Sequence, residues 1–267
     1  MTTASSGWET PPVNPTLSSP EVHVWRASLH TEATQLAQFY ATLADDERGR
    51  AGRFYRQQDR VHYITARGIL RALLGHYLHL SPQQVCLAYN AYGKPELASD
   101  SGPQPLRFNL SHSHELVLYG FTHGREIGID IEYIRPTFAR DQIAKQFFSP
   151  RENAALRVLT DSQHTLGFFN CWTRKEAYIK ARGQGLSLAL DQFDVSLTPG
   201  EPAALLQTRD IPQEAARWSL HELAPGPGYL AAVAVEGRDW RLMTWQWPGS
   251  YKAGSPYDLG VSGRGPL

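Results

Sequence analysis

This chain has little sulfur: two cysteines and two methionines in 267 residues. Cys86 and Cys171 stand far apart without a companion His or Cys pattern, which argues against a disulfide framework or a structural zinc site. Both read as small core residues. Net charge is also lacking, since Lys+Arg and Asp+Glu each total 26. A global electrostatic footprint for nucleic acid or an anionic membrane is therefore not expected, and any anion site has to be local. No apolar run approaches membrane-spanning length, and the opening Met1-Thr-Thr-Ala-Ser-Ser-Gly7 has neither the basic flank nor the apolar core of a secretion signal. The expectation is a cytoplasmic protein with no nucleic-acid or membrane partner.

What is present sorts into two tails and a body. Residues 1–19 are rich in Ser, Thr and Pro, and residues 248–267 in Gly, Ser and Pro, so both are expected to be mobile tails. The body begins with an alternating strand, Glu21–Leu29, and a helical segment carrying Leu36, Phe39, Tyr40 and Leu43. From Asp45 to Tyr77 arginines interleave with apolar residues at helical spacing; most such arginines form a solvated face, and a subset can line a phosphate pocket. Arg107–Ser113 and Glu115–Phe121 read as a hairpin. Later strands are predicted over 186–190, 193–197, 218–223, 229–235 and 240–247. Arg107-Phe-Asn-Leu, a return strand and Gly124 are echoed by Arg217-Trp-Ser-Leu, a return strand and Gly237. The echo suggests two similar α+β halves, 20–124 and 125–247.

The stretch Glu126-Ile-Gly-Ile-Asp-Ile-Glu132 reads as a buried strand that carries two acids on one face, Asp130 and Glu132, and three isoleucines on the other. Paired carboxylates repel unless a cation lies between them or water solvates both. The Phe168–Arg182 helix, ended by Gly183, sets Trp172, Glu176 and Lys180 on one stripe. Taken alone, Glu176 and Lys180 also fit an exposed helical ion pair. Together, Asp130, Glu132 and Glu176 make a candidate three-carboxylate magnesium site beside Lys180, with manganese possible instead. Ser149-Pro-Arg-Glu152 has the order of a capped helix start, which by itself would explain Glu152.

Five ordered motifs carry a resemblance. Gly93-Lys-Pro95, Phe108-Asn-Leu-Ser-His-Ser113, Ile127-Gly-Ile-Asp-Ile-Glu132, Phe147-Phe-Ser-x-x-Glu152 and Trp172-x-x-Lys-Glu-Ala-x-x-Lys-x-x-Gly-x-Gly185 have the order and approximate spacing of the Sfp-type 4′-phosphopantetheinyl transferases. The resemblance covers about 21–247. It implies a monomer of two α+β halves related by pseudo-twofold symmetry, with the active site in the cleft between them. It implies an enzyme that moves phosphopantetheine from coenzyme A to a serine of an apo acyl or peptidyl carrier protein and releases adenosine 3′,5′-bisphosphate. By motif, Asp130, Glu132 and Glu176 would hold the metal, Lys180 would steady the transferring phosphate or the leaving group, and Glu152 would deprotonate the carrier serine directly or through water. Lys94, Ser111 and His112 would contact coenzyme A phosphates, joined by Arg50. A basic position three residues before Arg50 in some members is here Glu47, which Arg48 or Arg53 would have to offset. The segment from Gly183 to about Ile211 resembles the region that meets the carrier.

Two other classes compete. A magnesium-dependent phosphohydrolase or nuclease would use the same acids, but it generally wants a second metal and leaves the Gly-Lys-Pro and Ser-His motifs without a role. A non-catalytic carrier-binding module would not need Glu176. A Ser-His hydrolase is disfavoured, since no Gly-x-Ser-x-Gly elbow is present, and zinc at His112 and His114 has no evident third ligand.

Overall fold

The computed structural model describes residues 7–99, 102–135 and 140–249. Its chain runs through one pattern twice. The first pass is β1 (Glu21–Ser28), α1 (Ala33–Thr42), α2 (Asp45–Gly52), α3 (Gln57–Leu78), the short pair β2 (Leu87–Tyr89) and β3 (Pro95–Leu97), then β4 (Leu106–Ser113) and β5 (Leu116–His123). The second is β6 (Ile127–Tyr133), α4 (Arg140–Phe147), α5 (Pro150–Arg157), α6 (Asp161–Arg182), the short pair β7 (Phe193–Val195) and β8 (Leu205–Thr208), α7 (Glu214–Arg217), β9 (Trp218–Leu223) and β10 (Tyr229–Glu236). In each pass the last strand pairs antiparallel with both long partners, giving the orders β1-β5-β4 and β6-β10-β9. The fold class is α+β.

Periodicity explains the layers. Trp25 and Ala27 on β1, with Tyr119 and Phe121 on β5, pack against Ile69, Leu70 and Leu73 of α3. Ala232 and Ala234 on β10 pack against Phe168, Ala177 and Tyr178 on α6. The opposite faces of the two sheets share a third cluster, in which Val22, Val24 and Leu118 meet Ile127, Ile129, Ile131, Val233 and Val235. The three isoleucines thus face apolar packing, as strand parity requires. The sequence echo falls on equivalent strands, and both return strands end in a glycine with left-handed backbone, Gly124 (φ 66°) and Gly237 (φ 84°).

Several expectations change. The last strand, β11 (Arg241–Gln246), does not join the second sheet; it crosses back and pairs parallel with β1. A division at 124/125 therefore leaves one strand of the first sheet in the second segment. The described residues 7–19 pack on the body. Trp8 contributes to the third cluster and its indole N–H donates to the Ala224 carbonyl at 2.7 Å, while Glu9 bridges Trp245. Leu17 packs against the first cluster, and the buried Pro15 lies with its carbonyl 3.0 Å from His76 Nε2. Of the expected C-terminal tail, residues 250–267 lie outside the described residues. The predicted strand at 186–190 is replaced by two single-turn 3-10 segments, Gly185–Ser187 and Leu190–Gln192. Cys171 is buried as expected, but Cys86 is exposed.

Candidate active site

The two passes touch at β4 and β6, the facing edges of their sheets. Successive odd residues of β4 reach across this seam. Asn109 Oδ1 accepts from the Ile129 N–H at 2.9 Å, and Ser113 Oγ accepts from the Tyr133 N–H at 3.0 Å. Backbone donors on the edge of β6 are thus satisfied by side chains rather than by another strand.

Ser111, between them, and Ser113 hold the two acids. Ser111 Oγ donates to Asp130 Oδ1 at 2.9 Å, and Ser113 Oγ donates to Glu132 Oε2 at 3.0 Å. Helix α6 lies directly on the acid face of β6, and Gly128 makes that approach possible: a Cβ there would sit 2.1 Å from the Ala177 carbonyl oxygen and 2.2 Å from the Ala181 nitrogen. The contact brings Lys180 to Asp130, with Nζ 2.6 Å from Oδ1 and 2.9 Å from Ser111 Oγ. Glu176, one turn back on the helix, lies in the field of both acids.

Electrostatics mark this as a strained group. Glu176 is pushed up to about 7, first by burial, with Lys180 opposing and Asp130 and Glu132 adding to the rise. Glu132 is raised by burial and then by Asp130. Asp130 itself is buried, and its Oδ2 has no hydrogen-bond partner among the described residues. Three crowded acids with an orphaned oxygen are chemically suited to a hard divalent cation. Among the described residues no set of three His, Cys, Asp or Glu side chains is closed around one point, and Lys180 engages Asp130 at 2.6 Å.

The other predicted residues separate into near and far. Lys94 is drawn to the start of β6, donating to the Ile127 carbonyl at 3.1 Å with its ammonium 3.6 Å from Glu126. Burial lowers its pKa, against Glu126. Its turn is tied to the end of α6, since Asn90 Nδ2 donates to the Gly183 carbonyl at 2.9 Å. His112 lies on the opposite face of β4 from Ser111, as strand parity dictates. Its pKa is lowered by desolvation, then by Lys180 and by His62 of α3. Arg50 and Arg53 are exposed on and just beyond α2, with Arg50 over the Tyr63 ring. Glu47 is not on that surface: it is buried, accepts from Arg71 Nε at 2.6 Å and lies 3.8 Å from Arg67. Arg67 and Arg71 are therefore interior and lie outside the solvated face expected for most of these arginines. Arg48 donates to the Ala41 carbonyl at 3.2 Å and lies 3.6 Å from Asp45.

Glu152 departs most from expectation. It is buried, with Oε1 accepting from the Val195 N–H at 2.8 Å and Oε2 accepting from the Ser149 N–H at 2.9 Å and lying 2.8 Å from Lys175 Nζ. The capping-box reading of Ser149 and Glu152 is the one realised. Both carboxylate oxygens are thus engaged inside the fold, and a capping and ion-pairing role accounts for these contacts by itself. Ser113, Asn109, Gly128 and Lys175 were missed. Ser113 shares parity with Ser111, but only knowledge that β4 borders β6 would have drawn it in.

Comparison with known proteins shows the family. Two family models divide the chain much as its repeat does. The model described as the 4′-phosphopantetheinyl transferase superfamily matches residues 126–234, and the one described as 4′-phosphopantetheinyl transferase, N-terminal, matches residues 25–120. The chain is 45% identical over 240 residues to the 4′-phosphopantetheinyl transferase HetI of Nostoc sp., a match covering 90% of this chain and 98% of HetI. A putative 4′-phosphopantetheinyl transferase of Synechocystis sp. is 33% identical across 85% of this chain and 87% of its own. The enzyme Sfp of Bacillus subtilis is 29% identical across 75% and 85%. The chain belongs to the 4′-phosphopantetheinyl transferase family.

Proposed function

We propose that this protein transfers the 4′-phosphopantetheine of coenzyme A to a serine of an apo acyl or peptidyl carrier protein, with magnesium, releasing adenosine 3′,5′-bisphosphate. The observation that carries this reading is the meeting of Asp130, Glu132 and Glu176 with Lys180 and Ser111 on the seam between the two passes. Asp130, Glu132 and Glu176 would hold magnesium, whose charge would offset that building on the diphosphate. The residues themselves supply positioning and electrostatic stabilisation, which is most of what phosphoryl transfer asks of a protein. Lys180 would pass from Asp130 to a phosphate oxygen, and Ser111 would keep Asp130 oriented. Lys94, Arg50, Arg53 and His112 would receive the remaining phosphates. Glu47 does not contribute, because its carboxylate points into the fold.

Among the described residues no helix is long and apolar enough to cross a membrane. We place the enzyme in the cytoplasm, acting as a monomer. The test is incubation with coenzyme A, magnesium and a panel of apo carrier proteins, followed by intact-mass measurement. A phosphopantetheine increment on a carrier, dependent on magnesium, is expected. Magnesium-dependent breakdown of coenzyme A without any carrier would instead indicate a phosphohydrolase.

A further inference from the structure

We propose that Glu152 and Lys175 form an internal pin that positions the chain leaving the catalytic helix, and that Glu152 takes no part in proton transfer. Lys175 is fully buried and lies beside Glu176 in sequence, but on a different face of α6. Its ammonium donates to the carbonyls of Leu190 and Phe193, each at 2.6 Å, lies 2.8 Å from Glu152 Oε2, and sits over the Phe193 ring at 4.2 Å. Glu152 in turn accepts the N–H groups of Ser149, at the start of α5, and Val195, in β7. One ion pair thus joins α5, α6 and the stretch Leu190–Val195.

The joined stretch has little of its own to hold it. Between Gly183 and Phe193 the chain makes only two 3-10 turns, and Ser187, Ala189, Asp191 and Gln192 are exposed. It leaves α6 three residues after Lys180, so a macromolecular acceptor approaching Lys180 must pack beside it. Irregular backbone in that place keeps one shape only if its carbonyls are bonded from within. Lys175 does this with two of them. Asp194 extends the network: burial raises its pKa, but bonds to Ser149 and Arg209 and the nearby Lys175 outweigh that and lower it. Cys171, the other titratable group facing Glu152, is kept a thiol by burial and then by that carboxylate. A buried ion pair is rarely the most stabilising filling for its volume, so what it contributes here is a fixed geometry.

This inference uses the carrier-transfer reading for its kinetic arm only. Glu152→Gln and Lys175→Met are compared with wild type in transfer assays varying coenzyme A and apo carrier separately, and by amide hydrogen exchange over Gln184–Val195 without substrates. The expected result is faster exchange over that stretch, with β6 unaffected. Kinetically, KM for the carrier rises on the order of tenfold, KM for coenzyme A stays within about twofold, and the acid limb of the kcat/KM profile is kept. Should a single variant fold poorly, Glu152→Gln/Lys175→Met removes both buried charges together and is expected to transfer at saturating carrier. Unchanged exchange in the variants overturns the pin, whatever the activity. A folded Glu152→Gln, or folded double variant, that has lost about a hundredfold or more at saturating carrier, with the acid limb gone, makes Glu152 the base. No transfer by wild type on any carrier would instead count against the carrier reading and leave the exchange result to decide this one.

Discussion

The Lys180 ammonium lies 2.6 Å from Asp130 Oδ1, so the cation on the last turn of α6 neutralises an acid on β6 that is otherwise buried with an unsatisfied oxygen. Replacing it by a neutral chain of similar length should remove both phosphate stabilisation and this neutralisation. Lys180→Met is expected to cut transfer on the order of a hundredfold or more. Its melting temperature without metal should fall, and added magnesium should restore part of the loss. An unchanged kcat would remove Lys180 from the chemistry.

Glu176, with its pKa near 7 against 4.5 for an ordinary carboxyl, makes a pH-dependent contribution of uncommon sign. The folded state holds this proton more tightly than the unfolded chain. The associated stability is present below about pH 4.5 and lost as pH rises through 7, at most about 3.5 kcal/mol at roughly 1.4 kcal/mol per unit. Denaturant titrations of metal-free Glu176→Gln should therefore show less loss between those limits than wild type. Magnesium should remove the difference by binding the ionised form, and Glu176→Gln should transfer at least about a hundredfold more slowly.

His23 supplies the opposite slope. It is buried, bonded through Nδ1 to Tyr77 Oη at 2.8 Å, and its pKa is lowered to about 4, first by desolvation, against Glu21 and with His123 and His76. A base kept neutral in the fold gives stability that is present above about pH 6.5 and lost as pH falls through 4, again at most about 3.5 kcal/mol. The wild-type stability curve should thus be flatter between 4.5 and 6.5 than that of Glu176→Gln, in which His23 alone dominates. His23→Gln should lose less stability on acidification, and a parallel acid slope in that variant would exclude the residue.

Gly128 decides how close helix and strand come. An added methyl would fall within 2.2 Å of backbone atoms of Ala177 and Ala181, which cannot rotate away. Gly128→Ala should destabilise by about 1–3 kcal/mol or more and move Lys180 off Asp130. The check is a melting curve together with transfer measured below the new midpoint. Activity should drop by more than the unfolded fraction explains.

Glu47 should behave as a structural residue. Removing it leaves Arg71, which is almost fully buried, without its carboxylate. Glu47→Ala is expected to cost about 3–5 kcal/mol, read from urea unfolding. KM for coenzyme A in the folded fraction should stay near that of wild type.

Strand and helix periodicity made much of this site legible. Asp130 and Glu132 share a face because side chains alternate along β6, and Glu176 and Lys180 share a stripe because they are four apart on α6. The cap at Ser149 and the glycine ending α6 were equally local, and the repeated strand–turn–glycine pattern marked the doubled architecture. These features depend on residues within a turn or two of one another, so local sequence suffices for them.

Tertiary structure decided what lies across a seam. Nothing near Ser113 in sequence says that β4 borders the free edge of β6, where its hydroxyl meets Glu132. Nor does the order Phe-Phe-Ser-x-x-Glu reveal that Glu152 turns inward to Lys175, since a capping acid can face solvent or core equally well. Glu47 stands among exposed arginines in sequence and pairs inside with one that is buried. In each case the side chain's role follows from which partner offsets the cost of burying a charge, and that partner lies 19 to 24 residues away.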